Sequence, residues 1–374
     1  MHDAHFSRVI KGDADGALVI KLPTIIQALE PTTRMQTAVY SQIDGLEIKV
    51  GFQAPPSPKH GILPGVIFLH GGGMVAGYRR EYLDWMIEST HQKGMIFLSA
   101  DHRLIYPSTG FDIIEDMRAL FAFLSDPSFS TAYLPDGISL DPTRLAVMGS
   151  SGGGYAAMAA ALYAQPKPRA VYLLYAMGGD FLCDHWISVK DSTARMRLSV
   201  HGLRDEAAAK VLTVMPQRPI SECPLSPRPG GAFSDEGGRM SLYPYWWRTG
   251  ELLDHVLGEP VSGYLRTLAA PERLTAVPAH LRPALLQAQL DESFPPTFLL
   301  HGELDTVVPL VESKTTYDCL RDLGVTVELE VVPNGPHGLM TCVNPVQFAP
   351  GADEAQEKGM GFLARRLQGP DPCT

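Results

Sequence analysis

The sequence predicts an α/β fold: a mostly parallel central sheet flanked by helices, with a helical lid inserted between two of its strands. Three observations carry that expectation. Short apolar runs alternate with helix-like stretches from Gly65 onward, most of these runs are apolar along their whole length, and the rhythm stops between about Met177 and Glu292 before it resumes. Strands covered on both faces by crossover helices read as near-continuous apolar segments, which is the mark of parallel pairing.

Taken in order, the chain opens with residues 1–45, a predicted N-terminal cap segment whose amphipathic piece Leu22–Leu29 pairs with no strand pattern and is expected to fold over the same edge as the insertion. Glu47–Phe52 alternates and precedes Pro55 and Pro56, as an antiparallel edge strand entering the sheet should. Further strands are expected at Val66–His70, Met95–Ala100, Arg144–Met148, Ala170–Tyr175, Thr297–His301 and Val325–Val332. Helices are expected at Phe111–Leu124, Gly152–Ala164, Glu312–Leu323 and Asp353–Leu367, the third followed by Gly324 where a C-terminal cap belongs. The core then comprises residues 46–177 and 293–374, and the lid residues 178–292. The lid carries Pro-rich turns, helical patterns at Ser192–Val214 and Arg282–Leu290, and the aromatic cluster Tyr243, Tyr245, Trp246 and Trp247.

Composition sets the outer limits. Of 374 residues 45% are apolar and 19% charged, enough to build a sizeable core and too apolar for a disordered chain. The formal charge of −10 gives no overall attraction to nucleic acid or to an anionic membrane surface, so neither is an expected partner. The first residues hold acids and no apolar run of about 7–15 residues, and the longest apolar stretches fall short of the roughly 20 residues a membrane span needs; a cytoplasmic location is expected. Five cysteines with no C-x-x-C pair suggest reduced thiols rather than a disulfide framework or a thiolate zinc site.

Chemistry concentrates in four loops that follow strands. Gly149-Ser150-Ser151-Gly152-Gly153 follows the strand RLAVM and opens an Ala-rich helix, so G-x-S-x-G stands in the strand–turn–helix setting that exposes a serine nucleophile above a sheet. The bland alternative is a Gly-rich β–α turn or phosphate loop; the lysine of a P-loop is missing. His70-Gly71-Gly72-Gly73 follows VIFLH, and its glycines let backbone N–H groups turn inward to stabilise an oxyanion, with a further donor from Gly152. Asp305 lies after TFLLH in a loop closed by Val307-Val308-Pro309, and His337 lies after VELEVV in Pro333-Asn334-Gly335-Pro336-His337-Gly338. Singly, each is a polar residue at a strand end; in the order Ser, Asp, His they form a candidate triad.

These motifs resemble the α/β-hydrolase superfamily and, within it, the hormone-sensitive-lipase-like carboxylesterases. The likeness rests on H-G-G-G at 70–73, D-H-R-L at 101–104, G-S-S-G-G at 149–153, G-x-x-D-x-x-V-P at 302–309 and P-H-G at 336–338, and spans roughly Val66 to Leu339. It implies Ser151, Asp305 and His337 as the triad, Gly72, Gly73 and Gly152 as oxyanion donors, and a cap built from the N-terminal segment and the insertion. The chain departs from the family in having Ser150 before the nucleophile where Asp is common, Gly152 after it where Ala is common, and D-H-R-L-I-Y-P where D-Y-R-L-A-P-E is common. The departures and the long cap point to a specialised substrate.

The expected activity is therefore hydrolysis of a carboxylic ester of a small to medium organic molecule through an acyl-enzyme, without cofactor or metal. The same serine machinery also suits a thioesterase, a C–C bond hydrolase or a lyase-like tailoring enzyme acting on a polyketide-like substrate. The rival from another class is a ligand receptor on a hydrolase fold that has lost catalysis. A homodimer is the one macromolecular association left open. Tyr243, Tyr245, Trp246 and Trp247 are the candidate substrate-pocket wall, against the alternative of a small lid core. Arg103 is expected to make structural hydrogen bonds. Asp180, Asp184 and His185 have ligand-like spacing but no second cluster to converge with.

Overall fold

A computed structural model describes residues 35–58, 60–214, 217–228, 232–235 and 237–368. Eight strands form the central sheet: β1 (Gln36–Ile43), β2 (Leu46–Gln53), β3 (Gly61–Leu69), β4 (Ile96–Ala100), β5 (Ile138–Ser150), β6 (Ala170–Leu174), β7 (Thr297–Gly302) and β8 (Val327–Val332). Their spatial order is β1-β2-β4-β3-β5-β6-β7-β8. From β4 to β8 every neighbour is parallel, while β1/β2 and β2/β4 are antiparallel.

Successive residues of the central strands point to opposite faces and into two separate apolar clusters. In β4, Ile96, Leu98 and Ala100 join one cluster and Phe97 the other; in β5, Leu145 and Val147 oppose Ala146 and Met148. Both faces are therefore core, which is why these strands read as unbroken apolar runs. The helices Gly110–Ser125 and Gly153–Tyr163 cover one face, together with lid residues such as Trp186, Trp246 and Leu253. The helix Ala352–Gln368 covers the other. The outermost strand β8 is mixed rather than apolar, and Glu330 on it pairs with Lys358 of that last helix. Charge on an edge strand blunts pairing with another chain.

Several sequence expectations need correction. The outermost strand is not Glu47–Phe52, which lies within β2, but β1, whose residues 36–43 fall inside the expected cap segment 1–45; its polar sequence QTAVYSQI hides a strand with only alternate residues buried. Leu22–Leu29 lies outside the described residues. The lid pattern Ser192–Val214 is a helix only over Asp205–Thr213, because Gly202 turns the chain at φ +81° just after the short strand Val200–His201. Arg282–Leu290 becomes two 3₁₀ turns, Arg282–Ala284 and Leu286–Gln289, with Pro283 inside the first. Among the described residues the segment between β6 and β7 contributes no strand to the central sheet; it holds a small sheet of Val200–His201, Ala232–Ser234 and Ser226–Arg228 and several short helices, among them Leu242–Thr249 and Leu252–Leu257. Among the described residues no helix is long and apolar enough to cross a membrane.

Candidate active site

Parallel sheets place their functional loops at the carboxyl ends of the strands, and three of them meet here. The turn after β5 holds Ser151 in the left-handed region at φ +51°, with its N–H on the Leu174 carbonyl at 3.0 Å and its own carbonyl accepting from Gly154 at 3.0 Å and Met177 at 2.9 Å. A non-glycine residue in that conformation is strained and survives only where the surroundings over-determine it. Here three backbone hydrogen bonds do so. The side chain is mostly buried, with the residue 7% exposed.

His337 stands between the other two members. Its Nε2 lies 3.0 Å from Ser151 Oγ and its Nδ1 lies 2.7 Å from Asp305 Oδ2. Since a carboxylate only accepts, Nδ1 carries the proton and Nε2 is left as the acceptor facing the serine hydroxyl. Asp305 Oδ1 accepts from the N–H groups of Val307 at 2.9 Å and Val308 at 3.0 Å. Burial opposes the Asp305 charge, but His337 and His301, through charge and side-chain hydrogen bonds, hold its carboxyl well below the usual carboxylate range.

Two neighbours escaped the sequence reading. His301, fully buried at the end of β7, places Nε2 2.9 Å from the Val308 carbonyl and 3.5 Å from Asp305 Oδ2, while Nδ1 meets the Ser313 hydroxyl at 2.8 Å. Two acceptors at Nε2 fix the proton there, so the Ser313 hydroxyl donates to Nδ1. Tyr175 sets its ring edge-on to the His337 imidazole, centroids 5.2 Å apart. A His at the strand end directly before the acid loop was the available signal for the first; the second depends on tertiary packing alone.

The oxyanion loop lies against the serine turn. A Cβ on Gly152 would fall 2.3 Å from the Met74 nitrogen, so only glycine lets the two backbones approach. Gly73 sits at φ +62° with the Tyr243 ring packed on it, 2.7 Å from where a Cβ would be. Among the described residues no backbone hydrogen bond takes up the N–H groups of Gly72, Gly73 or Gly152, which leaves them free to donate. Beneath the loop, His70 and His102 stack at 4.7 Å. Burial pushes them down to about 3 and about 4, so both are neutral.

The four lid aromatics separate. Tyr243 reaches the site loops, its ring on Gly73 and its hydroxyl donating to the Val307 carbonyl at 3.3 Å. Trp246 corrects the pocket-wall expectation: it is 0% exposed, stacked on His255 at 3.8 Å and part of the apolar cluster the lid shares with the core helices. Tyr245 packs under Arg248 and Trp247 under Lys190, both within the lid. Arg103 is structural, bonded through its backbone N–H and Nε to Asp116 and through its guanidinium to Asp112. Among the described residues no three His, Cys, Asp or Glu side chains converge on a metal position. His185 lies 3.1 Å from the Val307 carbonyl and Asp184 pairs with Arg273.

Comparison with known proteins agrees with this geometry. Residues 52–178 match the BD-FAE family model and residues 277–348 that of the prolyl oligopeptidase family. The chain is 25% identical over 98% of its length to the non-reducing polyketide synthase pkbA of Emericella nidulans, of which it spans 15%. It is 28% identical to the probable carboxylesterase M8 of Phoma sp., with 74% of this chain and 80% of that protein covered. Among solved structures, a Thermogutta terrifontis esterase superposes with a TM-score of 0.52 at 14% identity, over 89% of this chain and 92% of that one. With a sheet ordered β1-β2-β4-β3-β5-β6-β7-β8 and a serine, an acid and a histidine on the loops after β5, β7 and β8, the chain has the α/β-hydrolase fold and is similar to carboxylesterases.

Proposed function

We propose that the chain hydrolyses a carboxylic ester of a small to medium organic substrate through an acyl-enzyme. The observation that carries this reading is the imidazole of His337 bridging Asp305 Oδ2 and Ser151 Oγ at 2.7 and 3.0 Å. Ser151 Oγ attacks the carbonyl carbon as its proton passes to His337 Nε2, and the ionised Asp305 stabilises the imidazolium. The negative oxygen is received by the N–H groups of Gly72, Gly73 and Gly152. The imidazolium then protonates the leaving alcohol, and water activated by the same histidine releases the acid. The H-G-G-G loop and the lid between β6 and β7 support a place among the hormone-sensitive-lipase-like esterases.

A second reading, thioester cleavage, is favoured by the match to the polyketide synthase over nearly the whole chain. The chemistry differs only in the leaving group, a thiolate needing less help from the imidazolium. A cytoplasmic location belongs to the same proposal, supported by four free cysteines among the described residues. The test is labelling with a fluorophosphonate probe read by intact mass, followed by turnover of oxyesters and thioesters of increasing acyl size. Ser151→Ala should take up no probe and lose roughly 10⁴–10⁶-fold in kcat, since triad members act as a unit. An alanine variant within about tenfold of wild type on that scale would remove Ser151 from the mechanism.

A further inference from the structure

The lid touches the oxyanion loop at two points that a simple cover does not require. Arg239, 8% exposed, donates from Nε to the Val75 carbonyl at 2.8 Å and from Nη2 to the Tyr106 carbonyl. Four residues later Tyr243 rests on Gly73. The 3₁₀ turn Arg239–Ser241 runs directly into the helix Leu242–Thr249, and residues four apart on such a continuous stretch share one face. One lid face thus presents a guanidinium and a ring to the same short loop.

What that grip does follows from the peptide planes. The Ala76 N–H donates to the Gly72 carbonyl at 3.0 Å, and the Val75 N–H donates to the same oxygen at 3.1 Å. A peptide unit is planar, so holding a carbonyl also aims the N–H on its other side. Arg239 holds the Val75 carbonyl and so orients the Val75–Ala76 plane, whose N–H holds the Gly72 carbonyl. That carbonyl shares its plane with the Gly73 N–H. The loop is further anchored by the Ile105 N–H on the Met74 carbonyl at 2.9 Å, by His70 Nδ1 at 2.9 Å from the Gly71 carbonyl, and by the paired bonds of Gly77 with the lid residue Cys223 at 2.7 and 2.9 Å.

We propose that Arg239 is a positioning residue for the reaction, aiming the Gly73 N–H at the oxyanion through two linked peptide planes while the Tyr243 ring backs Gly73. This rests on the serine-hydrolase reading above and makes the lid part of the oxyanion apparatus as well as a cover. The consequence is that the smallest substrate feels the loss of Arg239 as much as a large one.

The experiment compares wild type, Arg239→Met, Arg239→Lys and Tyr243→Leu on p-nitrophenyl acetate, with binding of a trifluoromethyl ketone as transition-state mimic and thermal melts alongside. Misaiming one donor should cost about 10–10²-fold in kcat, somewhat less than the roughly 10²–10³-fold of deleting one. KM should stay within about threefold, and ketone affinity should fall by the same factor as kcat. Arg239→Lys, which can serve one carbonyl, should recover part of the loss. Should Arg239→Met not fold, Tyr243→Leu must show the same kcat-only signature. Unchanged kcat and ketone affinity with a lowered Tm would reduce Arg239 to a structural brace and overturn the proposal, as would losses confined to large esters. A wild-type enzyme that takes no fluorophosphonate probe overturns the hydrolase reading itself, and the proposal with it.

Discussion

Asp305→Asn changes one atom and should nearly silence the enzyme, because the backbone decides how the new amide sits. Oδ1 of Asp305 accepts from the N–H groups of Val307 and Val308 at 2.9 and 3.0 Å. An asparagine must offer its carbonyl oxygen to these two donors, since turning it over would leave two buried N–H groups unpaired at about 1–3 kcal/mol each. Its NH₂ then faces His337 Nδ1, now 2.7 Å from Oδ2. A donor there forces the imidazole proton onto Nε2, where it points at Ser151 Oγ and the base is gone. The wrong tautomer costs about 10⁴ in kcat, or about 5.5 kcal/mol of barrier. The assay is kcat on p-nitrophenyl acetate between pH 6 and 9, with the rate of probe labelling and thermal melts as controls. Because the Asp305 carboxyl is held below its ordinary range, the stability it adds is present above the unfolded carboxylate pKa and lost as pH falls through the depressed value. The melting temperature of the variant should therefore lie below wild type at neutral pH and converge with it in acid. A variant within about tenfold of wild-type kcat would refute the tautomer argument, whose expected loss is a thousand times larger.

Trp246→Ala should lower stability by about 3–5 kcal/mol, the scale for emptying a buried aromatic site, while penalising large and small esters alike; a loss confined to large esters would restore the ring to the pocket. Glu81, whose Oε1 accepts from the Leu225 N–H at 2.7 Å, has its carboxyl pushed by burial up to about 8. A raised acid gives stability that is full below its unfolded pKa and lost as pH climbs through the folded one. Glu81→Gln keeps the acceptor and does not titrate, so its melting temperature relative to wild type should climb from pH 5 to pH 9. A gap that stays constant or narrows would show Glu81 ionised throughout.

The sheet and the triad loops were legible because they obey local rules. Buried parallel strands must be apolar on both faces, and a serine turn between strand and helix must be lined with small residues, so β3 to β7 and Gly149–Gly153 announce themselves. Strand β1 did not, because one face of an edge strand stays wet and QTAVYSQI reads as loop. The lid was misjudged for a different reason. A helical period in 192–214 carries no information about the turn that Gly202 takes, and aromatic density around 243–247 does not say which ring points outward. Arg239 was invisible: a lone arginine in a Gly-rich stretch gains meaning only when the fold lays two carbonyls beside it.

The placement of β8 at the rim of the sheet bears on how the molecule fails. Strand β5, which carries the nucleophile, is gripped on both sides by β3 and β6, whereas β8, which carries the base, has β7 alone. Strands held from one side open at lower free energy than those held from two. Fraying from that rim would withdraw His337 while the serine turn, its carbonyl tied to Gly154 and Met177, would keep its shape. What is left is an intact alcohol in an intact turn, with nothing to take its proton. On that argument catalytic competence would be lost before the fold is.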